Sequence, residues 1–328
     1  MLDRAYGTLV GGAIGDAIGM PASFLTRRQI TATYGYIQDF LEPEKNIQTC
    51  HGNLQAGNIT DDTMESIILG QVLIQNGKFS EDAFNSAMKK WAIEQKMLES
   101  SVIGPSTRRY LTALIEGADP KKTSGQGITN GSAMRVAPIG IRYHDDLTKC
   151  IETAAASSLP SHGGQPAVAA ACAVAAGVAL GVHGGYTPRD VLRAASVAAA
   201  YGEKIGVEVT APSLSRRLRL VESVVDQAKD ANISAILDEL VAIFGASMMS
   251  YESIAIAFGA FYAAGGHGTN GILAAVNAGD DADTNGSICG NLCGAYSGAT
   301  SFPLEWRTRV EKTSGFDFKQ TAQCLLSD

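Results

Sequence analysis

The chain has 328 residues, 45% of them hydrophobic and 18% charged, and Lys+Arg 26 against Asp+Glu 33 leaves a net charge of −7. That composition supports a packed core and excludes a disordered chain. The acidic balance, with a pI near 5.3, speaks against non-specific binding to nucleic acid or to anionic membranes, though it leaves room for one local basic pocket for a phosphate. Alanine occurs 47 times and glycine 36 times, while aromatics make up only 7%. The best helix former combined with small side chains that let helices approach closely points to an all-α fold.

At the N-terminus Arg4 precedes an apolar stretch, but Asp16 interrupts it and no small-residue cleavage pattern follows, so no signal peptide is expected. Residues 21–59 are polar and turn-rich, and are expected to be irregular or to hold a short hairpin. The segment from Thr60 to Asn76 opens with Asp61 and Asp62, continues through Ile67, Ile68, Leu69, Val72 and Leu73, and stops at Asn76-Gly77. Acids at the start and Asn-Gly at the end are helix punctuation. Further helices are predicted over 80–99, 106–117, 145–158, 166–182, 188–201, 213–229, 232–244, 251–264 and 284–299. Pro166, Pro188 and Pro212 stand where three of them begin. Ala167 to Val182 carries no charge, but it is short and weakly hydrophobic for a bilayer and reads as a buried core helix.

No linker, charge run or repeat of 20–50 residues divides the chain, so one all-α domain over residues 1–328 is expected. Cys50, Cys150, Cys172, Cys289, Cys293 and Cys324 are scattered without a CxxC pair, and read as reduced, mostly buried residues of a cytoplasmic protein. Cys289 and Cys293 lie four apart on a predicted helix, with no further ligand nearby to complete a zinc site.

Four segments carry polar chemistry. Thr60-Asp61-Asp62-Thr63 begins a helix that is apolar nearly all round, which places its acids toward the interior or a cleft. Taken alone it also reads as a cap, with Glu65 completing a capping box. Residues 277–286 hold Asp280, Asp281, Asp283 and Thr284 ahead of a second helix. An EF-hand loop is excluded there, because its twelfth position needs a bidentate glutamate and Leu292 stands in that place. Two such clusters are too negative to be buried apart, and meeting around one or two Mg²⁺ or Mn²⁺ ions would neutralise them. Oxygen-only ligands suit those ions rather than zinc or copper.

After the second cluster, Gly286, Gly290, Gly294 and Gly298 form a smooth stripe on which a neighbouring helix can pack closely. The third segment is Thr129-Asn130-Gly131-Ser132-Ala133-Met134-Arg135, an Asn-Gly turn whose N–H groups suit an anion. Its Arg135 either contacts a ligand or pairs with a core carboxylate. The fourth is Ser161-His162-Gly163-Gly164, whose histidine is by itself more often structural than catalytic.

In this order the segments resemble the ADP-ribosylglycohydrolase family, which includes dinitrogenase reductase-activating glycohydrolases and ADP-ribosylarginine hydrolases. Gly15-Asp16-Ala17-Ile18-Gly19-Met20-Pro21 is similar to the family's GDAxGxP start, Thr60 to Thr63 to its [ST]DDT motif, and Asn130 to Arg135 to NGxAMR. Ser161-His162 is similar to its [ST]H turn, and Asp281-Ala282-Asp283-Thr284 to DxDT. The resemblance implies a multi-helix domain with a centre of two divalent cations, Mg²⁺ or Mn²⁺, held by Thr60, Asp61, Asp62, Asp281, Asp283 and Thr284. It implies a cleft lined by Asn130, Gly131, Ser132, Met134, Arg135, His162 and Gly163. It also implies hydrolysis of a ribosyl bond, with Asp61 or Asp62 accepting the proton of water.

The chain departs from the family where Ser23 replaces a glutamate after the first motif, and Gly265-Gly266-His267-Gly268 is also atypical. The leading expectation is a hydrolase that releases ADP-ribose from a modified protein side chain, most plausibly arginine. A hydrolase of a nucleoside-like metabolite and a non-catalytic ADP-ribose-binding protein are the alternatives. Neither nucleic acid nor membrane is expected as a partner.

Overall fold

The computed structural model describes every residue except Lys229 and Asp328. In chain order its helices are α1 Leu2–Gly19, α2 Arg27–Tyr34, α3 Asp61–Asn76, α4 Glu81–Glu94, α5 Pro105–Glu116 and α6 Lys121–Ser124. Then come α7 Gly131–Met134, α8 Ala137–Arg142, α9 Leu147–Ser158, α10 Gln165–His183, α11 Pro188–Ile205 and α12 Leu214–Gln227. The last six are α13 Ile233–Phe244, α14 Ser250–Ala263, α15 Gly268–Val276, α16 Ala282–Ser297, α17 Leu304–Ser314 and α18 Phe318–Leu326. The fold is all-α and forms one domain; among the described residues there is no sheet, only three isolated bridges, one of them Leu25 with Asp280.

All ten expected helices form, and Pro105, Pro166 and Pro188 sit in the first turns of α5, α10 and α11. The predicted 213–229 helix ends at Lys229, which lies outside the described residues. No hairpin forms among the described residues of 21–59. That stretch instead contains α2, whose capping box pairs Thr26 with Gln29: the Gln29 amide donates to Thr26 Oγ1 at 3.3 Å and the Thr26 amide to Gln29 Oε1 at 2.9 Å. The T-x-x-Q spacing was the available signal.

The N-terminal helix α1 is the largest element that pattern reading does not find. Gly7, Gly11, Gly12, Gly15 and Gly19 lie within it, and each glycine costs a helix about 1 kcal/mol relative to alanine. Tertiary contact outweighs that cost. The glycines at every fourth position of α1 face the glycine stripe of α16 so closely that backbone meets backbone. A Cβ on Gly7 would stand 2.7 Å from the Gly294 carbonyl oxygen and one on Gly11 2.5 Å from that of Gly290, while Gly15 abuts Gly286 and Gly19 abuts Ala282. Alpha10 runs through the core, with every residue from Pro166 to Val182 buried. It is long and apolar enough to cross a membrane, but 89% of the relevant window lies inside the fold, as expected for a core helix. Cys150, Cys172, Cys289 and Cys293 are free and buried, Cys50 is half-buried, and Cys324 is exposed.

The packing yields a test with opposite signs. Gly15→Ala drives a methyl into the Gly286 backbone and is expected to destabilise by about 3 kcal/mol, the upper end for overpacking. Gly70→Ala lies inside α3 with its nearest neighbours at 3.6 Å, and is expected to stabilise by about 0.5–1 kcal/mol. Urea denaturation of both variants distinguishes the two effects.

Candidate active site

The first acidic cluster is built by α1 and α3 together. Thr60 caps α3, its Oγ1 accepting the Asp62 amide at 3.3 Å. Three further donors at that helix end go to Asp16 of α1, whose Oδ2 accepts the Thr60 amide at 2.9 Å, the Thr63 hydroxyl at 2.5 Å and the Thr63 amide at 3.3 Å. Asp16 is therefore a cap supplied from another helix, and the expected capping box with Glu65 does not form. Glu65 points to the other side of α3 and pairs with Arg135 at 2.8 Å.

The second cluster precedes and opens α16. Asp281 Oδ2 accepts the Asn130 side-chain N–H at 2.6 Å, Asp283 Oδ1 accepts the Thr284 amide at 3.0 Å, and the Thr284 hydroxyl reaches Asp62 Oδ2 at 3.4 Å. That last contact joins segments 222 residues apart in sequence. The two clusters share one cavity, whose walls include Asp61, Asp62, Asp281, Asp283, Thr284, Thr129, Asn130, Gly131, Met134 and His51. Among the described residues no lysine or arginine lines it. Phe24 stands on the same wall, 40% exposed, in a left-handed backbone conformation with φ 63°. Such a conformation strains a residue carrying a Cβ, and here it is held by the Leu25–Asp280 bridge.

His51 and Asp16 are site residues to which the sequence reading assigned no role. His51 Nε2 donates to Asp283 Oδ2 at 3.0 Å, and Ser23 Oγ accepts the Asp283 amide at 3.4 Å. Nothing in its loop flags His51 in advance: it lies in an aperiodic stretch, and its partner Asp283 is 232 positions away. Asp16 was legible as part of the opening motif, but its contact with α3 was not.

Packing five carboxylates into one region sets their protonation. Burial, then Glu65 and Asp283, push Asp61 well above the usual carboxylate range; burial, then Asp16 and Asp283, do the same to Asp62. Burial and the Asp283 charge raise Asp281 to about 7, against the pull of Asn130 and Thr284. Burial raises Asp16 to about 6 although Thr63 and Thr60 hydrogen bonds oppose it. Asp283 alone is lowered, because His51, Ser23 and the Thr284 amide outweigh its burial. His51 is also desolvated, yet Asp283 holds its pKa above the ordinary value. Asp62 Oδ1 is buried without any hydrogen-bond partner.

An all-oxygen set this rich in charge, with one unpartnered carboxylate oxygen, fits a hard divalent cation. Among the described residues no three His, Cys, Asp or Glu side chains already converge as a cage. Their oxygens are instead engaged on Thr60, Thr284, Asn130 and His51.

Of the residues expected to line the cleft, Asn130, Gly131 and Met134 do so. Ser132, Arg135, His162 and Gly163 lie outside its wall. Arg135 is fully buried behind the wall, bonded to Glu65, to the Ser161 hydroxyl at 2.7 Å and to the Ser157 carbonyl at 3.3 Å. His162 Nδ1 meets the same Ser161 hydroxyl at 2.8 Å; burial, Arg135 and Arg109 hold this histidine well below its ordinary pKa, so it is neutral. Ser132 bonds the Ala167 carbonyl at 3.3 Å, and the Gly163 amide donates to Ser124 at 2.8 Å. The reason is a close stack: a Cβ on Gly131 would lie 2.7 Å from His162 Nε2, so the turn of the third motif covers that of the fourth. His267, for its part, caps α15 by accepting the Asn270 amide at 3.4 Å.

The all-α scaffold thus opens two helices with acids onto one polar cavity. The ADP-ribosylglycohydrolase family model matches residues 1–327, and the chain belongs to that family of glycosidases. It is 27% identical over 321 residues to the ADP-ribosylarginine hydrolase Tri1 of Pseudomonas putida, covering 94% of this chain and 74% of that protein. It is 23% identical over 327 residues to the ADP-ribosyl-[dinitrogen reductase] glycohydrolase of Rhodospirillum rubrum, covering 99% and 96%. A solved structure titled ADP-ribosylglycohydrolase-related protein complex superposes with a TM-score of 0.74 at 23% identity, covering 99% of this chain and 97% of that one.

Two outcomes are expected. Glu65→Gln leaves the buried Arg135 charge unpaired and is expected to cost about 3–5 kcal/mol in denaturant titration. The raised acids make the folded protein bind more protons than the unfolded chain from about pH 4 upward, so their contribution to stability falls as pH rises through their folded values. His51 acts in the same direction, and His162 opposes it only below about pH 6.5. The melting temperature of chelated protein is therefore expected to drop between pH 6.5 and 8, and saturating Mn²⁺ to remove that drop. Equal melting temperatures in chelator at the two pH values would contradict the assigned shifts.

Proposed function

We propose that this protein hydrolyses the N-glycosidic bond between ADP-ribose and an arginine side chain of a modified protein. The observation that carries the reading is the meeting of Asp61 and Asp62 with Asp281, Asp283 and Thr284 across one cavity, with Thr284 Oγ1 3.4 Å from Asp62 Oδ2. Thr60, Asp61, Asp62, Asp281, Asp283 and Thr284 would hold two divalent cations, Mg²⁺ or Mn²⁺. Bound there, such ions supply positive charge that keeps the acids ionised and acidifies water.

The chain's own groups do the rest. Asp61 or Asp62 accepts a proton from water as its oxygen bonds to the anomeric carbon. The carbon–nitrogen bond breaks, its electron pair goes to the arginine nitrogen, and the proton follows to that nitrogen. The buried carboxylates face the positive charge that develops on the ribose ring in the transition state. Phe24 offers an exposed ring face to the planar, cationic guanidinium at the mouth. The names of the two relatives, one an ADP-ribosylarginine hydrolase and the other acting on a modified reductase, support a protein-borne substrate.

One observation favours a second reading, an N-ribosyl hydrolase of a nucleoside-like metabolite: among the described residues no lysine or arginine stands on the cavity wall to meet a diphosphate. Assays against ADP-ribosyl-arginine and a panel of nucleosides separate the two. Titration calorimetry of ADP-ribose with Mg²⁺, and again after chelation, adds an independent measure. On the leading reading ADP-ribosyl-arginine is cleaved and ADP-ribose binds only with metal. Asp62→Asn is expected to lower kcat by about 10²-fold or more; full activity in that variant would remove the acidic centre from the mechanism.

A further inference from the structure

We propose that His51 is a nitrogen ligand of the cation centre, bonding through Nδ1 and oriented by Asp283. The inference rests on the metal reading above and adds to it a donor type that the acidic motifs do not contain.

The imidazole is 2% exposed and forms part of the cavity wall with Asp61, Asp62, Asp281 and Thr284. Its Nε2 is 3.0 Å from Asp283 Oδ2. A carboxylate accepts, so in the neutral ring that binds a cation the proton lies on Nε2 and the free lone pair on Nδ1. That atom is buried and has no hydrogen-bond partner. Most buried side-chain nitrogens have a partner, so a bare one that borders a cavity of carboxylates points to a ligand. A ring with one N–H on a carboxylate and the opposite nitrogen bare has the arrangement that metal-binding histidines adopt, in which the carboxylate fixes tautomer and ring direction.

The loop that carries His51 is anchored for this delivery. The Gln48 side chain, 3% exposed, donates through Nε2 to the carbonyls of Ser23, Pro21 and Met20 at 3.0, 3.3 and 3.4 Å. Its Oε1 accepts the amides of Cys50 and His51 at 3.0 and 3.3 Å. One buried amide thus ties the turn that ends in His51 to the segment carrying Ser23, whose hydroxyl accepts the Asp283 amide. His162 also carries one bare buried nitrogen, Nε2, but its other nitrogen meets the Ser161 hydroxyl and not a carboxylate, and it stands outside the cavity wall.

Imidazole favours transition metals, whereas Mg²⁺ prefers oxygen donors and retained water. The centre is therefore expected to select Mn²⁺, Fe²⁺ or Co²⁺ over Mg²⁺, in place of the oxygen-only preference implied by the acids alone. Pulsed EPR of Mn²⁺-loaded protein reads the ligand directly. Wild type is expected to show ¹⁴N coupling that changes to ¹⁵N coupling when only histidine is ¹⁵N-labelled, and that disappears in His51→Gln. Calorimetry is expected to show Mn²⁺ affinity falling about tenfold or more in His51→Gln while Mg²⁺ affinity changes less. Bound Mn²⁺ without histidine coupling in wild type, or coupling that survives in His51→Gln, would overturn the assignment. Failure of wild type to bind Mn²⁺ at all would overturn the metal reading itself, and the assignment with it. If His51→Gln does not fold, the isotope pattern of labelled wild type still decides, with His51→Asn as the second variant.

Discussion

The backbone-to-backbone contact of α1 with α16 is the constraint on which the site depends. Glycines at every fourth position on both helices remove the side chains that would separate them, and the carbonyls of one helix lie where a Cβ of the other would be. That contact fixes Asp16, on α1, relative to Asp281 and Asp283 at the start of α16. Asp16 in turn takes three donors at the start of α3 and so sets the position of Asp61 and Asp62. Helix contact, cap and acidic cluster form one chain of dependence. A methyl group added to the glycine rows would be felt at the cavity, although no glycine of α1 lines it.

Such a site is electrostatically unfavourable when its acids are ionised and uncompensated. Burial and mutual repulsion raise Asp16, Asp61, Asp62 and Asp281, while the lowered Asp283 is the one with a histidine beside it. The fold withstands the repulsion through a second buried layer. Glu65, Arg135, Ser161 and His162 form a connected network under the turn of Asn130 and Gly131. Removing one member of the buried pair leaves an uncompensated charge, so this layer stabilises the wall of the cavity.

This arrangement explains how motif residues divide between the cavity and its support. Asn130 and Gly131 belong to the same short stretch as Ser132 and Arg135, but the α7 turn sends the first two to the cavity and the others inward. Spacing along the chain could not make that division, because a single turn of helix points neighbouring side chains in opposite directions. The sequence reading left open whether Arg135 meets a ligand or a core carboxylate, and the Glu65 contact decides for the carboxylate. His51 could not have been read at all: its loop has no periodicity, and its meaning lies in a contact with a residue 232 positions away.

The sequence by itself determined the helical class, the ten regular helices and the acid-bearing starts of α3 and α16. Those features are local: alanine content, apolar period, proline and Asn-Gly punctuation, and runs of carboxylates are all set within a few residues. The glycine-rich α1 was hidden because its local propensity opposes its structure and only the α16 partner reverses the balance. Which acids face one another, which arginine is internal, and which histidine meets Asp283 were decided by tertiary structure alone. Burial, pairing and displaced pKa values are properties of neighbours in space, and the chain brings those neighbours together from positions as far apart as 16 and 283.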